Sequence, residues 1–241
     1  MSSLDDVAVP RCGESDKRNS EYENNYSPNF YFNSISSLTN PVILDVGAHR
    51  GESVKFFKHV FKAAKIFSFE PSPVNFDKLK DVASLYETTA INVAIGNQVG
   101  EVKFYQQSLS HLGGLLPINK KSSDSLGYAK KAENVEVLVD CTTLNEVVRG
   151  LGLETIDILK IDVQGFEVGV LEGGDQVLNK VKAIMIEVSL YDFYGDNKNS
   201  WFDVNRILGD SGFELFDIAK ISKNPKNLGT DWVEMVFVKP Q

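Results

Sequence analysis

Two hydrophobic periods alternate along the chain from residue 41 onward. Short apolar runs typical of buried strands cover residues 42–46, 65–70, 88–93, 156–162 and 183–188. The segments between them carry apolar residues at the spacing of amphipathic helices. The predicted helices cover 52–62, 73–85, 166–171 and 201–208, with one more that Thr142 or Thr143 caps and that ends near Arg149. Short connections between these elements predict an α/β fold with parallel strands, right-handed crossovers and helices on both faces.

The pattern changes at three places. Turn residues between two alternating runs in 94–105 predict a β-hairpin after strand 3. Residues 106–133 are polar and glycine-rich, so we expect a long functional or mobile loop, followed by a strand over 135–140. Residues 213–218 and 232–238 follow one another without a long helical pattern, which predicts that the final pair of strands is antiparallel.

Residues 1–40 differ from the rest of the chain. They are rich in Ser, Asn, Asp and Glu and show no sustained period, so we expect a partly irregular N-terminal arm before one domain over residues 41–241. Five aromatic residues interrupt the arm: Tyr22, Tyr26, Phe30, Tyr31 and Phe32. Two interpretations stay open, namely packing on the outside of the domain and a lid over a ligand site.

Charge and composition restrict the partners. The net charge of −8 and the lack of a basic cluster argue against nucleic acid, and favour a small or neutral molecule. Cys12 and Cys141 form no C-x-x-C pair, so we expect free thiols in a reducing compartment. No apolar run reaches the roughly 20 residues of a membrane span, and no signal-peptide order is present, so we expect a soluble, cytoplasmic protein. The oligomeric state stays open.

The first two strands end in acidic residues beside a glycine loop. Asp45 precedes a G-x-x-x-G loop from Gly47 to Gly51, and Glu70 follows at the distance expected of an acid that binds a ribose diol. The missing third glycine argues against a dinucleotide, and Asp45 would repel a diphosphate. S-adenosylmethionine suits this pattern, because it carries an ammonium group and an adenosine ribose. A nicotinamide-dependent oxidoreductase and a non-catalytic cofactor-binding partner of a biosynthetic assembly are the alternatives.

Four segments together resemble the FkbM family of S-adenosylmethionine-dependent methyltransferases over roughly residues 41–240. They are Leu44–Gly51, Phe69–Phe76, Asn92–Gly96 and Leu159–Glu167. The resemblance implies a Rossmann-like class I methyltransferase fold, with a seven-stranded, mostly parallel sheet. It also implies, in most members, transfer of a methyl group to a hydroxyl of a sugar or another small metabolite. Two residues depart from the family pattern: Gln164 stands where Glu is common, and His49 stands where Asn is common.

Ligands of such sheets bind at the carboxyl ends of the strands. We therefore expect Glu70 to bind the ribose hydroxyls, with the adenine between Pro71 and Ser72 on one side and Asn92 to Ala94 on the other. The full set of predicted cofactor-binding residues is Asp45, Gly47, Ala48, Gly51, Ser53, Glu70, Pro71, Ser72, Asn92 and Ala94.

Strand 4 ends in Asp162, with Lys160 on the same face. Asp162 is the main catalytic candidate, either as a general base or, together with Glu187 at the next strand end, as a ligand of Mg²⁺. In the alternative, Lys160 and Glu187 form a buried ion pair and leave Asp162 for function. His111 in the long loop is a second candidate base, because an unperturbed histidine has a pKa near neutrality.

Overall fold

The structure is a computed structural model that describes residues 38–122, 127–195, 201–224 and 229–240. The predicted arm over residues 1–40 lies outside the described residues except for 38–40. Its aromatic cluster, and the choice between surface packing and a lid, therefore stay predictions.

Seven of the described strands form the central sheet. They are β1 Val42–Val46, β2 Lys65–Phe69, β3 Thr89–Ile91, β7 Ile156–Ile161, β8 Val181–Ser189, β9 Glu214–Lys223 and β10 Thr230–Val238. The strand order is β3-β2-β1-β7-β8-β10-β9, and β10 is antiparallel to both of its neighbours while the other pairs are parallel. The predicted seven-stranded, mostly parallel sheet with an antiparallel final strand is confirmed.

The centre of the sheet is buried on both faces. Ile43, Leu44, Ile158 and Leu159 are fully inaccessible to solvent, although neighbours along a strand point to opposite faces. Helices that cover both sides of a parallel sheet require such continuous apolar runs. This explains why β1 and β7 are apolar throughout until the acids at their ends.

The described helices follow the predicted pattern closely, except for one short helix within the segment that was predicted to be a loop. They are α1 Glu52–Val60, α2 Pro73–Leu85, α3 Tyr128–Lys131, α4 Leu144–Leu151, α5 Glu167–Glu172 and α6 Trp201–Asp210, with 3₁₀ turns at Ser110–Leu112 and Leu178–Lys180. Ser72 accepts a hydrogen bond from the Asn75 N–H at the start of α2, and Thr143 caps α4 in the same way. No helix in the described part of the chain is long and apolar enough to cross a membrane.

The hairpin predicted over residues 94–105 is wrong. The two runs form β4 Ala94–Gly96 and β5 Gly100–Gln106, and a third strand, β6 Val135–Thr143, lies between them. β6 is parallel to β4 and antiparallel to β5, and its Val139 and Cys141 pack with Phe104 and Ala94 in a small core. Local turn residues predict a chain reversal, but the burial of this apolar face decides which strand becomes the partner.

The segment from 106 to 133 is anchored at several points. Isolated β-bridges join Tyr105 to Gly114 and Ile118 to Tyr194. The Asn134 side chain accepts from the N–H of Ile118 and donates to its carbonyl, so that its amide closes the end of the loop. These contacts fix the first half of the loop beside the carboxyl ends of the central strands.

Candidate active site

A cavity of about 760 Å³ opens at the carboxyl ends of β1, β2, β7 and β8. In the sheet, β2 is the neighbour of β1 on one side and β7 is its neighbour on the other, so the strand order changes direction at β1. Such a change of direction is where open α/β sheets bind ligands. The described residues that line the cavity come from both sides of this point and from the loop after β5.

Glycine is required at position 47 by the close approach of two strand ends. Gly47 has φ +82°, and a Cβ atom there would lie 1.8 Å from the carbonyl oxygen of Asp162. The N–H groups of Gly47 and Ala48 both donate to the Phe69 carbonyl at 3.0 Å. Gly47, Ala48 and Ser53, three of the predicted cofactor-binding residues, line the cavity.

Gly51 has a packing function. It has φ +88° at the start of α1, and a Cβ atom would lie 2.7 Å from the Val82 side chain on α2. Gly51 does not line the cavity. The second glycine of the G-x-x-x-G loop therefore brings two helices together, and the structure does not support direct contact with a cofactor.

Two backbone groups orient the Glu70 carboxylate at the end of β2. Its two oxygens accept from the N–H groups of Ser72 at 2.8 Å and His49 at 2.9 Å. Burial raises the pKa of Glu70 to about 7, although both hydrogen bonds oppose the shift. A carboxylate has about four acceptor sites, so Glu70, which lines the cavity, keeps capacity to accept from a ligand hydroxyl.

Two further predicted residues support Glu70 from outside the cavity. The Asn92 amide donates to the carbonyls of Glu70 at 2.7 Å and Pro71 at 3.1 Å, and Ser72 caps α2. Neither Asn92 nor Ser72 lines the cavity, whereas Pro71 and Ala94 do. Of these four residues, Pro71 and Ala94 are therefore the ones placed to contact the adenine. Asn92 and Ser72 stabilise the turn that carries Glu70.

The structure corrects the predicted contact between Asp45 and an ammonium group of the cofactor. Asp45 is fully buried, does not line the cavity, and accepts from the Ser68 hydroxyl at 3.2 Å. Its other oxygen lies 3.8 Å from the Lys160 ammonium group. Burial raises the pKa of Asp45, with the charge of Lys160 opposing the shift. Asp45 therefore acts on the cavity through Lys160.

Lys160 joins Asp45 to Asp162. Its ammonium group lies 3.3 Å from the Asp162 carboxylate, which lines the cavity. Burial alone would lower the pKa of Lys160, but the charges of Asp162 and Asp45 outweigh burial and raise it. The predicted ion pair between Lys160 and Glu187 is wrong, because these two aspartates are the partners of Lys160.

The Gln164 amide bridges two carboxyl groups and a phenol. It donates to Asp162 at 2.7 Å and to Glu187 at 3.3 Å, and its oxygen accepts from the Tyr194 hydroxyl. A glutamate, which the family commonly has here, has no N–H groups with which to bridge two carboxylates. Sequence reasoning missed this role and that of Tyr194, because the partners come from β7, β8 and the segment after β8.

A divalent ion does not fit between Asp162 and Glu187. The ammonium group of Lys160 and the amide hydrogens of Gln164 point at the oxygens that Mg²⁺ would need. Within the described ranges, no group of three or more His, Cys, Asp or Glu side chains is arranged to hold a metal. The predicted metal role of Asp162 and Glu187 is therefore replaced by a hydrogen-bonded network.

Glu187 can exchange a proton near neutral pH. Burial and the charge of Asp162 raise the pKa of Glu187 to about 8, with Lys160 opposing. General acids and bases work best when their pKa lies near the working pH. Because Glu187 lines the cavity, it is a candidate proton carrier beside Asp162.

His111 lies in the 3₁₀ turn that borders the cavity, and its neighbour Ser110 contacts a second histidine, His49. The His49 ring lies 2.8 Å from the Ser110 hydroxyl and 3.3 Å from Glu52. His49 has φ +47°, a conformation that Asn and His adopt more readily than most residues. The His111 ring lines the cavity, and burial, with the nearby His49, lowers its pKa. Sequence reasoning placed His111 at the site but did not foresee the His49 contact that holds its turn.

The end of the cavity far from Glu70 is built by residues that sequence reasoning did not single out. Trp232 lies in register with Ser189 on β8 and with Ser222 on β9, and all three line the cavity with Asp231. The Lys220 ammonium group lies 5.0 Å from the centre of the indole ring. Strands of the central sheet therefore carry the indole and its polar neighbours.

The strand order, the single antiparallel strand and the cavity at the carboxyl ends define a Rossmann-like class I methyltransferase fold. A sequence profile of the methyltransferase FkbM domain matches residues 45–215. The chain belongs to the FkbM methyltransferase family, which removes the nicotinamide-dependent oxidoreductase alternative.

Curated relatives are similar at moderate identity. Methyltransferase sdnD of Sordaria araneosa is 29% identical over 170 residues, with 57% of this chain and 62% of that protein covered. The 2-O-methyltransferase NoeI of Sinorhizobium fredii is 28% identical over 173 residues, with 67% and 68% covered. The hexuronic acid methyltransferase AglP of Haloferax volcanii is 24% identical over 147 residues, with 61% and 55% covered. The matched part therefore spans less than two thirds of sdnD and of AglP.

Proposed function

We propose that this protein is an S-adenosylmethionine-dependent O-methyltransferase that acts on a hydroxyl of a sugar or another small molecule. The observation that carries this proposal is one cavity with Glu70 on one side of the β1 end and Asp162 on the other. The relatives NoeI and AglP, a 2-O-methyltransferase and a hexuronic acid methyltransferase, support the reaction class.

The residues present fit the cofactor. Glu70 can accept hydrogen bonds from the ribose diol, Pro71 and Ala94 can border the adenine, and the turn after β1 can border the methionine end. Five carboxyl side chains among the described residues line the cavity, against the single lysine Lys160. They are Glu52, Glu70, Asp162, Glu187 and Asp231. Although burial keeps Glu70 and Glu187 partly protonated near neutral pH, this acidic lining favours a ligand that carries a positive sulfonium centre. The same surplus favours a small acceptor over a nucleic acid backbone.

The chain contributes alignment and proton transfer. The acceptor oxygen forms a bond to the methyl carbon while the carbon–sulfur bond breaks and its electron pair stays on sulfur. Much of the rate enhancement comes from holding these three atoms in line. Asp162 takes the proton of the acceptor hydroxyl, with its two oxygens held by Lys160 and Gln164. Glu187 and His111 are the alternative acceptors of this proton.

Calorimetry and turnover test this proposal. S-adenosylhomocysteine should bind to the protein, and NAD and NADP should not. Methyl transfer from labelled S-adenosylmethionine to any member of a panel of hydroxyl compounds supports the full proposal. Failure of S-adenosylhomocysteine to bind overturns it. Binding without transfer to any compound in the panel favours the non-catalytic cofactor-binding alternative.

A further inference from the structure

Three strands of the sheet carry a row of side chains at the end of the cavity far from Glu70. Ser189, Trp232 and Ser222 are direct neighbours across β8, β10 and β9, so they lie on one face of the sheet. Neighbouring strands are about 4.8 Å apart, and the row is therefore about 10 Å wide. A register shift between Thr230 and Trp232 interrupts the β10–β9 pairing beside the row, while β10 stays paired with β8 on its other side.

The indole ring of Trp232 is held from outside the cavity. Lys220 lies 5.0 Å from the ring centre and is not one of the residues that line the cavity, whereas Trp232 is. A cation over an aromatic face attracts it and restricts its rotation. The part of the indole that borders the cavity thus remains available to a ligand.

The row combines one apolar surface with hydrogen-bonding groups on both sides. The Ser189 and Ser222 hydroxyls can each donate and accept, and the Asp231 carboxylate beside them accepts. A pyranose ring has the complementary chemistry, with C–H groups on its face and hydroxyls around its edge. A width of about 10 Å holds one such ring with its substituents.

Carboxylates dominate the charge at this end of the cavity. Asp231 and Glu187 line it, and Glu234 lies opposite Glu187 in the strand register. Among the described lining residues Lys160 is the one lysine or arginine, and it pairs with Asp45 and Asp162. Lys220 lies beside Trp232 but outside the cavity, opposite Glu234 in the strand register, whose charge it offsets. Burial keeps Glu187 largely protonated near neutral pH. A negatively charged ring would therefore meet the Asp231 carboxylate without an unpaired cation among the described lining residues.

We propose that Ser189, Trp232, Ser222 and Asp231 form the acceptor subsite, and that this subsite binds uncharged pyranose rings and rejects carboxylated ones. This inference rests on the proposed function and deepens it. The charge selection differs from what the name of the relative AglP, a hexuronic acid methyltransferase, would suggest for this chain.

Matched sugar pairs test the proposal on the full chain saturated with S-adenosylhomocysteine. The probes are the methyl glycosides of glucose, galactose and mannose, each beside the methyl glycoside of its uronic acid. Binding is measured by tryptophan fluorescence, and Trp232→Phe assigns the signal because Trp201 is the other tryptophan of the chain. We expect at least one neutral glycoside to perturb Trp232 and to bind at least tenfold more tightly than its uronic acid counterpart.

The preference for uncharged rings is tested with one variant and one control. Asp231→Asn should reduce the preference for the neutral partner at least threefold, because it removes one like charge from the subsite. Glu214→Gln removes an exposed carboxylate from β9 outside the cavity and should leave the preference unchanged. This comparison separates local from overall charge.

Two results would overturn the proposal. One is equal or tighter binding of the uronic acids in every pair. The other is a Trp232 signal that no sugar in the panel changes, although calorimetry shows S-adenosylhomocysteine bound to the same sample. That calorimetric control separates failure of the subsite from failure of the proposed function.

Discussion

The two ends of the cavity are built in different ways. Around Glu70, main-chain groups fix the geometry. The N–H groups of His49 and Ser72 orient the carboxylate, and Gly47 permits contact between two strand ends. Around Asp162, side chains hold one another: Lys160 and Gln164, from β7 and the turn after it, donate to Asp162 and also contact carboxylates of the neighbouring strands β1 and β8. One end depends on backbone conformation, and the other depends on a balance of buried charges.

The difference has a physical consequence for substitutions. A backbone-built end tolerates many side chains but fails when a glycine acquires a Cβ atom. A side-chain network keeps its fold under conservative changes but loses the property that depends on charge. Four variants separate these two kinds of dependence.

The largest effect should come from Gly47→Ala. The new Cβ would lie 1.8 Å from the Asp162 carbonyl oxygen in a residue with φ +82°. We expect a loss of about 3–5 kcal/mol in the free energy of unfolding, measured in urea, from overpacking plus left-handed strain. Gly152→Ala is the control, because it has φ +62° with open space around it, and should cost about 1–2 kcal/mol. Equal losses would mean that the contact with Asp162 is unimportant.

Asp162→Asn should reduce turnover, and should also lower stability, because it removes one of the two charges that pair with buried Lys160. It keeps the shape of the side chain but removes the charge, so kcat should fall roughly a hundredfold, the usual scale of general base catalysis. Affinity for S-adenosylhomocysteine should hardly change. Asp140→Asn, an exposed residue of β6, is the control.

The effect of removing divalent ions on turnover is measured in the same experiment. Because the donors around Asp162 do not fit a divalent ion, wild-type turnover should survive exhaustive treatment with EDTA. Turnover in the Asn variant at the wild-type rate would remove Asp162 as the base, and His111 and Glu187 would be tested next.

Glu70→Gln should weaken S-adenosylhomocysteine binding by about 2 kcal/mol in calorimetry, since hydrogen bonds to a charged group contribute about 1.5–3 kcal/mol. The substitution keeps the size of the side chain and one acceptor for the loop. Glu101→Gln, which removes an exposed carboxylate on β5, should leave the affinity unchanged. An affinity equal to that of wild type in both variants would place the ribose elsewhere.

The smallest effect is a pH dependence of stability. The pKa of Glu187 is raised to about 8 from an ordinary value of 4.5, so the folded protein holds a proton that the unfolded chain releases. Stability from this group is complete below pH 4.5 and is lost as the pH rises toward 8.

Glu187→Gln should remove part of that slope. Between pH 7 and pH 8 the unfolding free energy of the wild type should fall by roughly 1 kcal/mol more than that of the variant. Urea titrations of both proteins at the two pH values measure it. Parallel slopes would mean that Glu187 ionises normally in the folded state.

The sequence predicted most of the fold because the relevant patterns are local. The helix predicted over 73–85 has the bounds of α2, and continuous apolar runs identified β1 and β7. The hairpin over 94–105 was wrong because β4 and β5 each pair with β6, and that pairing depends on a face that packs across about 47 residues of chain, from Ala94 to Cys141.

The same distinction between local and distant partners applies to the residues of the candidate site. Glu70 and Gly47 were found because their spacing along the chain is fixed by one strand, one loop and one helix. Asp45 was assigned to the cofactor because a strand-end acid looks alike whether it faces a cavity or a buried lysine. Trp232 gave no signal at all, since its partners Ser189 and Ser222 come from strands that only the folded sheet brings together.

β10 follows β8 and β9 in the chain but lies between them in the sheet. While a ribosome has delivered residues only as far as β9, the outer edge of β8 is unpaired, and β9 lacks β10, which is its one neighbour in the central sheet. Such edges are where nascent chains associate with one another. β10 therefore completes the sheet by pairing on both of its sides, and translation that stalls before residue 230 leaves β8 with an open edge, β9 without its partner strand, and no Trp232.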